Sequence, residues 1–370
     1  MKFQACLYSL LLLVTMQSSP VAAEERPALP AVAAGETHAL YLDAEGGLWG
    51  WGEICLPEKR FVSEPVRLMD GVVSMAAGQR VSLGVKRDGS LWILGCNAQY
   101  IADMKRKDAT IPFRLVDKDV VATAAFNKCF YITANGSLYG AGEGKKSATF
   151  AKLLNNVRAV STNLSHTLIL TAKGELFGLG TDLYGELGLG APHNRSFATP
   201  QKTILKAFQG HGRLKYIRAG IHMSWLVTAD GTGWYLGREG YGRVALPVKE
   251  PHPVKITDVD NISAIVSAEG AMRLVLKGDG SLWLNNWDTQ YTSPEIVPRI
   301  VYGEMAKKLD SEVASIDAGM DFYLYLKQNG ELWGWGRNDK GQVGDGSFED
   351  RKVPVRVKIP LEAGRIPPGK

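Results

Sequence analysis

Short apolar segments alternate with tight-turn residues along most of this chain. An Asn-Gly, Asp-Gly or related turn separates an apolar segment, such as residues 322–326, from a second one led by an aromatic residue. Asn, Asp and Gly tolerate the positive φ angles that a two-residue hairpin turn requires. The segments are apolar at successive positions rather than at every second one, which is typical of strands buried on both faces. The pattern therefore predicts β-hairpins that lie between neighbouring layers.

The hairpin pattern returns seven times. The turn glycines, 38 to 57 residues apart, are Gly46, Gly89, Gly136, Gly174, Gly231, Gly280 and Gly330. Such a period marks a stacked or circular array of repeats, and hairpins of this kind favour radially arranged blades of about four strands. We therefore predict an all-β fold, a seven-bladed β-propeller over residues 31–359, with a C-terminal tail at 360–370.

One aromatic residue follows each turn at the same place. Because these residues recur with the framework, we expect them to form the core rather than a ligand-binding stripe. They are Trp49, Trp92, Tyr139, Phe177, Trp234, Trp283 and Trp333.

The two ends of the array suggest how it closes. An extended segment at 353–357 follows the last copy, whereas the first copy lacks the extended segment that normally precedes one. We expect the C-terminal strand to complete the first blade and so to close the ring, because closure removes exposed sheet edges.

The N-terminus has the layout of a secretory signal peptide. Lys2 precedes an apolar stretch at about 7–16, and small residues occupy 21–23. A membrane-spanning helix, the alternative, needs ~20 apolar residues, about twice this length. We predict a signal peptide at 1–23, a short linker at 24–30, and an exported protein, periplasmic or extracellular, without a membrane span.

Three cysteines follow the signal peptide: Cys55, Cys96 and Cys129. An odd number in an oxidising compartment allows one pair and one free thiol. Cys55 and Cys96 lie in the loops after consecutive hairpins. The sequence leaves two alternatives open: a disulfide between the first two blades, or two free thiols at these positions. Cys129 replaces an apolar core residue and is expected to be a buried thiol.

The last copy carries a recognisable motif: Leu324-Tyr325-Leu326, Asn329-Gly330, Trp333-Gly334-Trp335-Gly336 and Gly341-Gln342-Val343-Gly344. The fourth copy is similar, with Tyr184-Gly185-Glu186-Leu187-Gly188. These residues resemble the regulator-of-chromosome-condensation repeat family, which implies a seven-bladed propeller.

The resemblance suggests two kinds of role. Nuclear members of the family act as exchange factors on a small GTPase through dedicated loops, for which this chain shows no clear counterpart. Secreted bacterial members include protein inhibitors of hydrolases, which is the closer analogy. Fold alone does not decide between such roles.

Candidate chemistry is sparse. No catalytic elbow, metal-binding helix or Cys-x-x-Cys pair occurs, so we expect no catalytic residue, cofactor or metal. His38 and His166 occupy one repeat position that apolar residues fill in other copies, so we expect buried structural histidines. The net charge of +5 is spread along the chain, which does not favour a nucleic-acid partner.

Variable loops after the aromatic strands remain as partner-binding candidates. We predict a monomeric, non-enzymatic scaffold that binds another protein through one face; the alternatives are a carbohydrate or cell-envelope binding module, and a hydrolase or lyase with a site assembled across blades. The candidate residues are Tyr100, Lys105, Arg106, Lys107, Tyr184, Tyr241, Trp287, Asp288, Tyr291, Arg337 and Asp339.

Overall fold

The computed structural model describes residues 30–96, 113–116, 118–141, 150–190, 193–203, 211–237, 253–268, 272–286 and 307–360. The proposed signal peptide, nearly all of the linker and the tail from 361 lie outside these ranges. No helix in the described ranges is long and apolar enough to cross a bilayer.

Seven four-stranded sheets, which we call blades, follow one another along the chain, and the strands of each are neighbours in chain order. The first three blades are β1 (Ala31–Ala34), β2 (His38–Leu42), β3 (Leu48–Gly52), β4 (Val62–Met69); β5 (Val72–Ala77), β6 (Ser82–Lys86), β7 (Leu91–Leu94), β8 (Phe113–Val116); and β9 (Val120–Ala125), β10 (Cys129–Thr133), β11 (Leu138–Ala141), β12 (Phe150–Leu154).

The remaining four blades are β13 (Val157–Thr162), β14 (His166–Thr171), β15 (Leu176–Asp182), β16 (His193–Lys202); β17 (Leu214–Ala219), β18 (Met223–Thr228), β19 (Gly233–Gly237), β20 (Val254–Lys255); β21 (Ile262–Ser267), β22 (Met272–Lys277), β23 (Leu282–Asn286), β24 (Lys307–Asp310); and β25 (Val313–Ala318), β26 (Phe322–Lys327), β27 (Leu332–Gly336), β28 (Arg351–Arg356). The predicted all-β fold with seven blades is confirmed.

The described chain forms two compact units. Of the described residues, one unit contains those between 156 and 286 together with 307–316, and the other contains those between 30 and 155 together with 317–360. Within each unit, neighbouring blades share apolar clusters. In the second unit, for example, Trp51, Phe322 and Val357 belong to one cluster that joins the first and seventh blades.

The second strand of each blade is buried along nearly its whole length. All five residues of β2 are buried, and so are all six of β14. The turn glycines take the predicted positive φ, as Gly89 does with +80°, but the residue before each of them does not. The Gly89 N–H donates to the Lys86 carbonyl at 2.9 Å, and the Ser90 backbone N–H and hydroxyl both donate to Asp88 Oδ1, so the aspartate serves the turn through side-chain hydrogen bonds rather than through positive φ. The apolar runs in the sequence therefore correspond to strands covered on both faces.

The prediction that the C-terminal strand completes the first blade is wrong. β28 pairs with β27 of the seventh blade, while β4, the extended segment after the first hairpin, pairs with β3 and gives the first blade its own fourth strand. Each blade is thus one uninterrupted stretch of chain, because the segment after each aromatic strand folds back on that strand.

The first and seventh blades are instead joined by packing and by two buried hydrogen bonds. The Ala34 N–H donates to Asp317 Oδ2 at 2.9 Å, and Trp51 Nε1 donates to the Gln342 carbonyl oxygen at 2.8 Å. Trp51 is fully buried. The Gly346 N–H of the seventh blade also donates to the Ser63 carbonyl of β4 at 2.9 Å. The two blades are therefore joined by packing and by individual hydrogen bonds rather than by a shared strand.

Every outermost strand places an exposed Lys or Arg opposite the repeat aromatic. The pairs in register are Trp49–Arg67, Trp92–Arg114, Tyr139–Lys152, Phe177–Lys202, Trp234–Lys255, Trp283–Lys308 and Trp333–Arg356. The guanidinium of Arg114 lies 5.1 Å from the Trp92 ring centroid, within cation–π range.

The aromatics themselves are buried to different extents. Trp49 and Trp234 are buried, whereas the other five are partly exposed beside their cations. Cations on an outer strand also discourage pairing with a foreign strand, so this seven-fold pairing belongs to the framework.

Replacing Trp51 with Phe should weaken the contact between the first and seventh blades. The change keeps most of the apolar contact but leaves the buried Gln342 carbonyl without its donor, which costs about 1–3 kcal/mol of unfolding free energy. Urea unfolding measures the change. The control is Trp92→Phe, because the Trp92 ring is partly exposed and its Nε1 bonds only Ser90 Oγ of its own turn; a larger loss in this control would contradict the assignment.

Candidate functional site

Three of the eleven candidate partner-binding residues lie in the described chain: Tyr184, Arg337 and Asp339. The other eight lie outside it: Tyr100, Lys105, Arg106, Lys107, Tyr241, Trp287, Asp288 and Tyr291. The site is therefore built from the loops that the structure describes.

The chain order of the strands gives each blade two different ends. In a four-stranded meander, the connections between strands one and two and between strands three and four share one end, and the repeat turn occupies the other. Turns such as 78–81 thus lie at the same end of their blades as the loops 53–61 and 337–350. We call this the loop end of a blade.

A buried carboxylate organises the loop end of the first blade. Glu53 is 1% exposed, and its Oε1 accepts from Arg60 Nη2 at 2.6 Å and from Nε at 2.9 Å. Thr37 Oγ1 donates to Oε2 at 2.9 Å, and Arg80 Nε of the second blade lies 3.4 Å from the same oxygen. A buried charge is tolerated only when it is compensated in this way, so Glu53 sets the positions of both guanidinium groups.

The disulfide that the sequence left open is present between Cys55 and Cys96, whose Cα atoms are 5.5 Å apart. Cys55 adopts a φ of +54°, and its N–H donates to the Arg60 carbonyl at 3.1 Å. The bond connects the loop of the first blade to the end of β7 in the second blade. Cys129 is a buried free thiol, and burial raises its pKa to about 12.

One group of potential metal ligands occurs among the described residues. Glu53 and the two sulfur atoms of Cys55 and Cys96 lie within 4.8 Å of one another. Cysteine binds metal as a thiolate, and the sulfur atoms of Cys55 and Cys96 are instead bonded to each other. Glu53 is moreover engaged by Arg60 and Arg80, so the oxidised protein has no donor set for a metal here.

Beside Glu53 and the Cys55–Cys96 disulfide, two cations lie against one exposed aromatic ring. Phe61 is 37% exposed; the Arg60 guanidinium is 5.2 Å from its ring centroid, and Lys340 Nζ of the seventh blade is 5.3 Å away. Arg337 binds Asp339 through two bonds of 2.9 Å, and Lys340 Nζ lies 2.9 Å from Asp339 Oδ2. We call Arg60, Phe61, Arg337, Asp339 and Lys340 the Phe61 patch.

The charges within the Phe61 patch hold one another in place. Although partial burial opposes ionisation of Asp339, hydrogen bonds from Arg337 and Lys340 lower its pKa to about 2. Arg337 is also within 3.5 Å of Asp321. The patch therefore presents a fixed arrangement of one apolar ring and paired charges, which suits recognition better than acid–base chemistry.

Sequence reasoning singled out Arg337 and Asp339 but missed Arg60, Phe61 and Lys340. Their contact joins loops almost 280 positions apart in the chain, which no local pattern records. The available signal was the pair Arg60-Phe61 in the loop that also carries Cys55.

The two repeat histidines are buried and link neighbouring blades. His38 Nε2 lies 3.0 Å from Ser82 Oγ of the second blade, and His166 Nε2 lies 2.8 Å from Ser224 Oγ of the fifth. Serine occupies this repeat position only in those two blades, each of which follows a histidine-bearing blade. Burial lowers the pKa of His38 to about 4 and that of His166 to about 3, so both rings are neutral structural groups.

Comparison with known proteins identifies the repeat. Residues 329–366 match the family model "Regulator of chromosome condensation (RCC1) repeat", and residues 313–342 match a second model of the same repeat. The chain is 29% identical over 232 residues to the ultraviolet-B receptor UVR8 of Arabidopsis thaliana, a match that covers 59% of this chain and 51% of UVR8. It is 26% identical over 216 residues to the human RCC1-like G exchanging factor-like protein, covering 55% of this chain and 46% of that protein.

The chain thus spans about half the length of these relatives. Among larger proteins, mouse E3 ubiquitin-protein ligase HERC2 is 24% identical over 329 residues, which is 80% of this chain but 6% of HERC2. The shared part is the propeller rather than the whole protein.

Solved structures show the same fold. Human WBSCR16 superimposes with a TM-score of 0.70 at 20% identity, covering 85% of this chain and 94% of that one. Yeast RCC1 (Prp20), solved bound to Kap60, gives 0.67 at 20% identity, covering 92% and 87%. Prp20p of Saccharomyces cerevisiae, reported with its binding properties to Gsp1p and histones, gives 0.64 at 21% identity, covering 86% and 88%.

Replacing Cys55 and Cys96 together with Ser should lower the unfolding free energy by about 2–4 kcal/mol, because the bond closes a loop of 41 residues in the unfolded chain. Urea unfolding without reductant measures the loss, and Cys129→Ser is the matched control that keeps the bond. Mass spectrometry of the digested, unreduced protein tests the bond directly. Alkylation of both Cys55 and Cys96 before reduction would contradict the disulfide.

The neutral histidines should make folding stability depend on pH. Their folded pKa values are depressed below the ordinary histidine value of 6.5, so the unfolded chain takes up protons first and stability falls as pH decreases below about 6.5. The loss amounts to a few kcal/mol if both rings stay neutral down to about pH 4. The double variant His38→Gln/His166→Gln removes this titration while keeping a hydrogen-bonding side chain beside each serine, so urea unfolding should show a smaller loss between about pH 7 and pH 5.

Proposed function

We propose that the protein is an exported, non-enzymatic β-propeller related to the regulator-of-chromosome-condensation repeat proteins, and that it binds another protein through the loop ends of its blades. The observation that carries the proposal is the Phe61 patch. It combines an exposed aromatic ring and arginines held in fixed positions, which are the residue types that anchor protein interfaces.

The anchoring of the patch supports binding rather than catalysis. Glu53 and the Cys55–Cys96 disulfide hold the loop that carries Arg60 and Phe61. A preorganised surface loses less conformational entropy when a partner docks. The buried histidines are neutral and bonded to serines, so they are poorly placed to act as bases.

The relatives support a protein partner. Yeast Prp20 was solved in complex with Kap60, and Prp20p was examined for binding to Gsp1p and histones. Propellers with this repeat thus act as docking platforms in those cases, and we propose a similar role with a different, envelope-located partner.

Export is proposed from two features. The first 23 residues have the composition of a secretory signal peptide, and a structural disulfide between Cys55 and Cys96 is typical of proteins that function in an oxidising compartment.

The Phe61 patch gives a direct test of partner binding. The mature protein is used to capture a partner from envelope extract, and the affinity of the purified pair is measured by calorimetry. Phe61→Ala and Lys340→Glu should each weaken binding about tenfold or more. The matched control is Arg87→Glu, which changes an arginine beside the repeat turn at the opposite end of the second blade. Binding that survives both patch variants but is lost in the control would contradict the proposal.

The exposed ring of Phe61 also suits stacking on a sugar, which favours carbohydrate binding as the second candidate function. A glycan array separates the two. Specific glycan binding that is lost in Phe61→Ala, without capture of any protein, would replace the leading proposal with this one.

A further inference from the structure

The loop ends of the fourth and seventh blades have the same backbone design. In the fourth blade the Leu187 N–H donates to Asp182 Oδ1 at 2.9 Å, and in the seventh the Val343 N–H donates to Asn338 Oδ1 at 2.8 Å. Glycines with positive φ occur at matching places, namely Gly185, Gly188 and Gly190 against Gly341, Gly344 and Gly346.

A second side chain completes each loop. Glu186 Oε2 accepts from the Tyr184 N–H at 2.8 Å, just as Gln342 Oε1 accepts from the Lys340 N–H at 2.9 Å. The backbone oxygen at this position also accepts from the next blade in both cases: Ser224 Oγ donates to the Glu186 carbonyl and Trp51 Nε1 donates to that of Gln342. The two loops are therefore equivalent site by site.

They differ in charge. The seventh blade uses two neutral amides, Asn338 and Gln342, while the fourth uses two carboxyl groups, Asp182 and Glu186; all four side chains are at most 1% exposed. An amide offers N–H donors as well as an oxygen acceptor, whereas an ionised carboxylate only accepts. Asn338 uses its Nδ2 donors on Ser347 and on the Glu349 carbonyl.

Glu186 contributes a buried oxygen atom whose hydrogen-bonding capacity is not satisfied within the described residues of the fourth-blade loop. Its Oε1 is buried and has no hydrogen-bond partner in the described part of the chain. Burial, with a smaller contribution from the neighbouring Asp182, raises the pKa of Glu186 to about 7 against the lowering effect of the Glu186 and Tyr184 backbone N–H groups. A protonated Glu186 has the shape and the single extra donor that make it resemble the glutamine of the seventh blade.

Three titratable groups of the described chain lie around this loop, and none of the three carries a permanent positive charge. Asp182 lies at the end of β15, His166 lies on β14, and His222 lies in the turn between β17 and β18, where its ring is 5.1 Å from that of Tyr184 in an edge arrangement. The Ser224 hydroxyl uses its proton on the Glu186 carbonyl, so the neutral His166 must donate through Nε2 to that hydroxyl. Ionised Glu186 would be buried against these groups and against the close approach of Gly237.

We propose that protonation of Glu186 holds the loop at 183–190 in its folded arrangement. Partner binding at this loop therefore depends on pH. Protonated Glu186 keeps the loop in the arrangement seen in the seventh blade. Ionisation admits water or expels the side chain, and this loosens Leu183, which is 42% exposed, and Tyr184 beside it. The part of this inference that concerns binding rests on the proposed function, because Tyr184 is one of its candidate contact residues.

The first experiment needs no partner. Thermal unfolding is compared between wild type and Glu186→Gln from about pH 5 to pH 8. Because the folded-state pKa of Glu186 is raised, the folded protein holds the proton more tightly, and the wild type loses stability relative to the variant as pH rises toward about 7. The two proteins should have similar Tm values at the acidic end, and Glu186→Gln should melt at least ~2 °C higher at the alkaline end.

The reciprocal variant is the matched control. Gln342→Glu places a carboxyl group in the seventh-blade loop. The Tm of this variant should therefore fall more steeply with rising pH than the Tm of the wild type. Parallel Tm curves for wild type and Glu186→Gln would overturn the proposal. A rise in Tm with millimolar Ca²⁺ that disappears in Glu186→Gln would also overturn it, because the carboxyl groups would then hold a cation rather than a proton.

The second experiment uses the purified partner. Wild-type affinity should fall at least about threefold between pH 6 and pH 8, whereas Glu186→Gln should bind equally at both. Equal pH dependence in the two proteins would overturn the regulatory role. Failure to find any partner would contradict the proposed function instead, and the Tm comparison would still decide whether Glu186 takes up the proton.

Discussion

Burial of the inner strands on both faces is the constraint from which the rest of the structure follows. A polar group on such a strand has no water to bond, so it must find a partner in its own blade or in the next one. The His38–Ser82 and His166–Ser224 pairs meet this requirement across blades. The same constraint removes functional chemistry from the strands and leaves it to the ends of the blades, where side chains can reach solvent.

Local turn chemistry carried enough information to predict seven blades, because each turn needs a glycine with positive φ and each inner strand needs an apolar run. It did not determine the phase of the repeat, that is, which flanking strand belongs to which hairpin. The assignment of residues 353–357 to the first blade failed for that reason. Pairing of β28 with β27 depends on how the loop at 337–350 folds back, and a period alone does not record this.

The candidate site shows a similar division. Arg337 and Asp339 could be suspected because they lie in a variable loop after an aromatic strand, but the contact between Lys340 and Phe61 exists only once the seventh blade packs beside the first. Glu53 gave no signal because a single acidic residue in a short loop is ordinary. Its importance comes from burial, since a carboxylate that is 1% exposed must be surrounded by donors. The disulfide was left open because the two cysteines are offset by different distances from their glycines, a difference that the left-handed backbone of Cys55 accommodates.

In the exported protein that we propose, the position of Cys129 has a consequence for maturation. Removal of the proposed signal peptide, which contains Cys6, leaves three thiols with three possible pairings, and two of these pairings place Cys129 in a wrong bond. The correct pair belongs to the first two blades, whereas Cys129 is shielded only when β10 packs within the third blade and against the second. A chain that enters an oxidising compartment N-terminus first can therefore oxidise Cys55 and Cys96 before the third thiol arrives. In an exported chain, the order of the cysteines thus protects against wrong disulfide pairing. That protection would be lost if Cys129 reached the oxidising compartment before Cys55 and Cys96 had paired.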